Sequence, residues 1–201
     1  DYKNQLVLTG ALDDVGAPVR ATSGDSYRLG LEIDADITLS DQFSIKPNAA
    51  FSTNKNRNFF SEVDGTLQNL GNTDISFSPD VVVGNMFVYK PLENLQVSFL
   101  SKFVSKQFMS NLGSKVSKND VLDSYFTSEL NVVYQINTNK IFKSIVFSAL
   151  VNNIFNKEYV DRGYYYTYNY DDENGNTITA DGAGYYPQAT RNFLVGVSLG
   201  F

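Results

Sequence analysis

The chain has 201 residues, 42% hydrophobic and 14% aromatic, with a formal net charge of -6 and neither cysteine nor histidine. That is length and apolar content enough for one substantial core, while the acidic balance repels nucleic-acid phosphate. Without Cys or His there is no disulfide frame, no thiolate or imidazole metal site, and no Ser/His or Cys/His pair, so we expect no enzyme, no cofactor and no metal.

No stretch approaches the roughly 18 apolar residues of a spanning helix, so a membrane protein of this sequence would have to be a barrel. Residues 1–10, DYKNQLVLTG, form no signal peptide and read as a strand already under way that ends near Leu12. The chain therefore reads as a piece of a longer one in preference to a mature protein.

Residues 13–26 are a loop rich in Asp, Gly, Pro and Ser. From 27 to 39 every odd position is apolar (Tyr27, Leu29, Leu31, Ile33, Ala35, Ile37, Leu39) and the even ones carry Arg28, Glu32, Asp34 and Asp36. A helix would scatter those carboxylates through its apolar face, so the spacing predicts a strand.

A turn at 40–42 leads to a strand over 43–55 with Phe43, Ile45, Ala49 and Phe51 on one side, which Pro47 weakens. A polar loop at 56–76 precedes a strand over 77–89 (Phe77, Val81, Val83, Phe87, Tyr89), the turn KPLEN, and a strand marked by Leu95, Val97, Phe99 and Phe103. After a loop at 105–121 the alternation shifts to even positions (Leu122, Phe126, Leu130, Val132, Tyr134). The connection INTNKIFK leads to Ile145, Phe147, Ala149 and Val151. The longest interruption, 154–184, holds a tyrosine cluster and the hairpin signal Asn174-Gly175. The final strand carries Phe193, Val195, Val197, Leu199 and Phe201 on one face, with Gly196, Ser198 and Gly200 between them.

About eight antiparallel strands follow, in one unit over 1–201, joined by alternately long and short connections. Alternation alone fits a lipocalin-like barrel as well as a membrane barrel. The sorting of loops and the two rows of aromatics at strand ends (Phe201, Tyr89, Tyr134; Tyr27, Phe51, Phe77, Phe103) are what a bilayer requires.

Residues 152–159, NNIFNKEY, and 185–201, YYPQATRNFLVGVSLGF, together with DYKNQLVLTGALDDVG at the start and SYRLGLEID at 26–34, resemble the C-terminal part of a TonB-dependent outer-membrane receptor. The resemblance implies an all-β, antiparallel transmembrane barrel of twenty-two strands, of which this chain would be about the last third. It implies a Gram-negative outer membrane and import of a scarce bulky nutrient, such as an iron chelate, cobalamin or a glycan. The implied partners are the lipid bilayer, an N-terminal plug and the remaining strands, TonB acting through that plug, the outer-membrane assembly machinery and, in some cases, a surface lipoprotein. Phe193, Val195, Val197, Leu199 and Phe201 would be the assembly signal.

Carboxylates outnumber cations on the non-lipid face (Glu32, Asp34, Asp36, Asp80, Asp123, Glu129 against Arg28, Lys46, Lys102), which suits a wide wet lumen. A self-contained eight-stranded anchor or adhesin, and a soluble lipocalin-like binder, are the alternatives. The candidate ligand contacts are Tyr164, Tyr165, Tyr166, Tyr168, Tyr170, Tyr185 and Tyr186, because tyrosine offers flat apolar area and a hydroxyl at little entropic cost. The adjoining Asp171, Asp172 and Glu173 match no calcium-loop spacing.

Overall fold

The computed structural model describes residues 1–4, 6–12, 14–22, 24–112, 118–138 and 141–201. The parts of the predicted loops at 113–117 and of the connection at 139–140 lie outside them. Every regular element described is a strand. In chain order these are β1 (Tyr2–Lys3), β2 (Leu6–Leu12), β3 (Pro18–Thr22), β4 (Asp25–Asp34), β5 (Ile37–Ser40), β6 (Phe43–Asn56), β7 (Phe60–Val63), β8 (Thr66–Asn69), β9 (Thr73–Asp74), β10 (Val81–Leu92), β11 (Leu95–Val104), β12 (Gln107–Phe108), β13 (Val121–Leu122), β14 (Tyr125–Asn137), β15 (Ser144–Asn152), β16 (Val160–Asp171), β17 (Thr177–Pro187) and β18 (Asn192–Gly200).

One sheet runs β1-β4-β6-β10-β11-β14-β15-β18, with β5 and β9 attached to β6. Its pairings are all antiparallel. The predicted count of about eight strands along the path is met, with one change. Only Tyr2 and Lys3 of the first predicted strand join the sheet, while β2 leaves it to pair with β3.

The predicted loop at 56–76 contains the hairpin β7–β8, and the loops at 105–121 and 154–184 hold most of the pairs β12–β13 and β16–β17, while β3 in the loop 13–26 pairs back with β2. Two predicted strand residues are corrected. Phe77 has a φ of 51° and lies before β10, and Leu122 is buried in β13 instead of opening the strand β14.

Local chemistry explains the breaks. Pro47 stands opposite Ala35: its carbonyl accepts the Ala35 N–H at 3.0 Å, but it has no N–H to return, and the ladder is interrupted between β4 and β5. The Ser40 hydroxyl accepts the N–H groups of Gln42 and Phe43 at 3.3 and 3.1 Å and so forms the tight turn into β6.

The register aligns the apolar positions into rows across the sheet. One row is Ile33, Ala49, Val83, Phe103 and Phe126; another is Ile45, Phe87, Phe99, Leu130, Val151 and Phe193. These rows are not enclosed: Phe193 is 77% and Val195 80% exposed. A sheet of one layer with a continuous apolar face does not make a water-soluble core. The soluble reading, which needs this face shut inside, does not describe it.

The water-type core lies elsewhere, at the long-loop end, where Phe59, Leu70 and Leu112 pack with Val63 and Tyr165. Both edges of the sheet are open among the described residues. The long strand β18 pairs only with β15, and on its outer side β4 meets only the two residues of β1.

Candidate functional site

The face opposite the apolar rows is polar. Lys46 is ion-paired with Asp36, and Arg28 donates to the Ser78 hydroxyl at 2.9 Å and the Asn54 carbonyl at 3.4 Å. A trough of about 410 Å³ on this face is lined by Lys46, Asn48, Gly84, Met86, Lys102 and Glu129, among others. Glu32 and Asp34 are exposed on the same face, as the sequence pattern predicts.

The long connections fold together into a cap. Asp64 and Gly65, both with positive φ (50° and 68°), make the two-residue turn of β7–β8, and this turn docks on β17. Asn169 donates to Glu62 at 3.0 Å, and Asn119 donates to Asp181 at 3.0 Å. Beneath them Asp120 is fully buried: one carboxylate oxygen accepts the Ser110 hydroxyl at 2.6 Å, and the other has no hydrogen-bond partner among the described residues. Desolvation, opposed by the Ser110 bond and reinforced by Asp181 and Asp74, raises the Asp120 carboxyl above its ordinary range.

The β16–β17 hairpin carries the predicted tyrosines and divides them. Alternate residues of a strand point to opposite faces. Tyr164, Tyr166, Tyr168 and Tyr170 share one face, joined by Tyr186 from β17, with successive ring centroids 6.0 to 6.3 Å apart. Tyr165 faces the other way, packed against the cap core, and the Tyr185 hydroxyl donates to the Asn119 carbonyl at 2.8 Å. Five of the seven candidates therefore stand together, and two hold the hairpin in place.

Gly184 and Gly182 lie directly across from Tyr164 and Tyr166, and a Cβ at either would overlap the facing ring. The rings lie over the glycines, and Tyr164 and Tyr166 are within 18° of parallel. At the tip, Gly175 has a φ of 78°, as the Asn174-Gly175 signal requires. The Asp172 carboxylate closes this turn by accepting the N–H groups of Asn174 and Asn176, each at 2.8 Å.

The NNIFNKEY segment is structural. Asn152 donates to Asn192 at 2.8 Å, the Asn156 side-chain carbonyl accepts the Arg191 N–H at 3.0 Å, and Asn153 donates to the carbonyls of Lys157 and Ala189. Three asparagines thus tie the end of β15 to the start of β18. Asn153 and Asn156 do so from positive φ, which asparagine tolerates. The sequence reading noted this segment only as a motif; its asparagines beside strand ends signalled turn chemistry.

An antiparallel sheet with short turns at one end, folded loops at the other, an exposed apolar face and a polar reverse defines a section of membrane-barrel wall. No family model and no curated protein matches the sequence. Solved structures do. The ferric-catecholate import receptor Fiu of E. coli K12 matches with a TM-score of 0.61 at 15% identity, over 97% of this chain and 23% of Fiu. The siderophore receptor PiuA of Acinetobacter baumannii matches at 0.59 and 15%, over 94% and 24%. The copper transporter OprC matches at 0.63 and 16%, over 99% and 27%. In fold, the chain is similar to a segment of the β-barrels of these receptors and transporters, and it spans about a quarter of their length.

Proposed function

We propose that the chain is the C-terminal part of the barrel of a TonB-dependent receptor in a Gram-negative outer membrane, and that the whole protein imports a scarce bulky nutrient. The observation that supports this most is the one-layer wall itself. Its apolar rows suit lipid, its polar reverse with Glu32, Asp34 and Lys102 suits a wet lumen holding a plug, and its open edges call for further strands. The β16–β17 hairpin then stands outside the cell, where it would meet the nutrient first. TonB acting on the plug would supply the energy, and the wall would supply a rigid frame.

Cells carrying the full-length protein should accumulate a nutrient from a panel of ferric chelates, cobalamin and oligosaccharides only while TonB is energised. Uptake that continues without TonB would overturn the reading. So would a heat-modifiable, protease-resistant monomer formed in outer membranes by residues 1–201 alone, which would make the chain a self-contained anchor or adhesin.

A further inference from the structure

We propose that the tyrosine face of the β16–β17 hairpin is a binding strip for a linear, neutral glycan. This rests on the reading that places the hairpin outside the cell, and it names the class of ligand for it.

The first observation is shape. Tyr186, Tyr164, Tyr166, Tyr168 and Tyr170 form a line about 25 Å long, with each ring next to the one before. A bilayer belt sets aromatics side by side at one depth, across neighbouring strands. Four of these rings run lengthwise along β16 and Tyr186 of β17 continues the line, which suits a linear polymer and not an interface. Tyr164, Tyr168, Tyr170 and Tyr186 are each about half exposed.

The second observation is charge. The hairpin is acidic, yet its carboxylates are kept off the tyrosine face from Tyr164 to Tyr170. Asp171 accepts the Thr177 hydroxyl, and Asp181 accepts from Asn119 on the reverse side, while Asp172 is held in the turn. The charge at this face is the pair Arg162 and Asp161, which neutralise each other at the Tyr186 end, where the register of the hairpin shifts. What remains is phenol rings, phenol hydroxyls and the small or apolar Gly184, Gly182, Ala180 and Ile178. An organic cation would find no carboxylate from Tyr164 to Tyr170 and only the paired Asp161 at the far end, and an anion would meet the acidic reverse and tip. A neutral sugar chain offers C–H faces to the rings and hydroxyls to the phenols.

The third is preorganisation. Glycine at 182 and 184 lets the Tyr166 and Tyr164 rings lie across the neighbouring strand, and the cap bonds hold the hairpin from behind. A strip set before the ligand arrives loses little side-chain entropy on binding.

The test uses the full-length receptor in detergent and linear neutral glucans, α-1,4 and β-1,4 linked, from disaccharide to hexasaccharide, followed by calorimetry. Affinity should rise with length, and Tyr166→Ala with Tyr168→Ala should lower it by at least about tenfold. Gly182→Val, which removes no tyrosine, should also weaken binding, and Tyr166→Phe should retain most of it. Retained binding in the double alanine variant overturns the strip, as does equal affinity for an anionic polysaccharide. If no glucan binds while cells carrying the same receptor take up a ferric chelate, the glycan proposal fails and the import reading stands. If neither is bound nor accumulated, the import reading fails with it.

Discussion

Asp64 and Thr179, 115 residues apart, exchange two hydrogen bonds: the Asp64 N–H donates to the Thr179 hydroxyl at 2.7 Å, and the Thr179 N–H donates to the Asp64 carboxylate at 2.8 Å. The pair fastens the β7–β8 turn to the tyrosine hairpin. Each bond should contribute about 0.5 to 1.5 kcal/mol. Asp64→Ala and Thr179→Ala each remove one of the two bonds, so each should speed hydrogen exchange of β17, and the double variant should speed it at least as much as the two losses together. Unchanged exchange in all three variants would mean that the two loops only lie side by side.

The two faces of the wall predict opposite tolerance to charge. If the apolar face meets lipid, Val83→Arg or Leu31→Arg should cost roughly 2 to 4 kcal/mol near the bilayer midplane, and Glu32→Arg much less, because it stands on the polar face. Folding titrations into lipid bilayers measure this directly. Equal losses on both faces would reverse or erase the assigned sides.

The buried Asp120 predicts a pH dependence of the cap. Its carboxyl titrates above the ordinary 3.8, so between 3.8 and the raised value the folded state keeps a proton that the unfolded chain has lost. Its contribution to stability is whole below 3.8, declines as pH rises through that window and is lost above it. Asp120→Asn should therefore gain protease resistance in the cap over the parent near neutral pH, and gain little at pH 4. The same gain at both values would show that ionisation of Asp120 is not the cause.

At the chain end, the Phe201 ring lies 5.1 Å from that of Phe142, and most of its surface is exposed. If Phe193, Val195, Val197, Leu199 and Phe201 are read by the assembly machinery through strand addition, deleting Phe201 in the full-length protein should lower the amount inserted in cells. It should do so far more than it lowers the stability of barrels refolded in lipid. If Phe201 is only a belt aromatic worth about 1.5 to 3 kcal/mol, the two losses should run in proportion.

The wall was legible because its signal is period two, imposed by the backbone itself, and because apolar alternation survives on every long strand, even through Pro47. The β16–β17 hairpin announces itself through Asn174-Gly175, but β7–β8 and β12–β13 do not, since their strands are only two to four residues long. Even so, Asp64-Gly65 between FSEV and TLQN is the same kind of turn signal as the Asn174-Gly175 that was read. The tyrosine cluster was found by composition, but its division was missed. Applied to residues 164–170, period two would have set Tyr165 apart from Tyr164, Tyr166, Tyr168 and Tyr170. The docking of Tyr185 on Asn119 depends on two chain segments meeting, 66 residues apart, and no local pattern encodes it.

The Phe59, Leu70 and Leu112 cluster sits in the cap and not beneath the wall, so the molecule is held together in two different solvents. Water drives the cap shut, whereas on the proposed reading lipid would keep the wall in place. Urea weakens only the first of these forces appreciably, whereas the choice of detergent or acyl-chain length acts on the second. The two parts therefore answer to separate reagents. A denaturant series in lipid should strip the tyrosine hairpin of its support while the strands behind it remain paired, a two-stage melting that no protein with a single shared core would show.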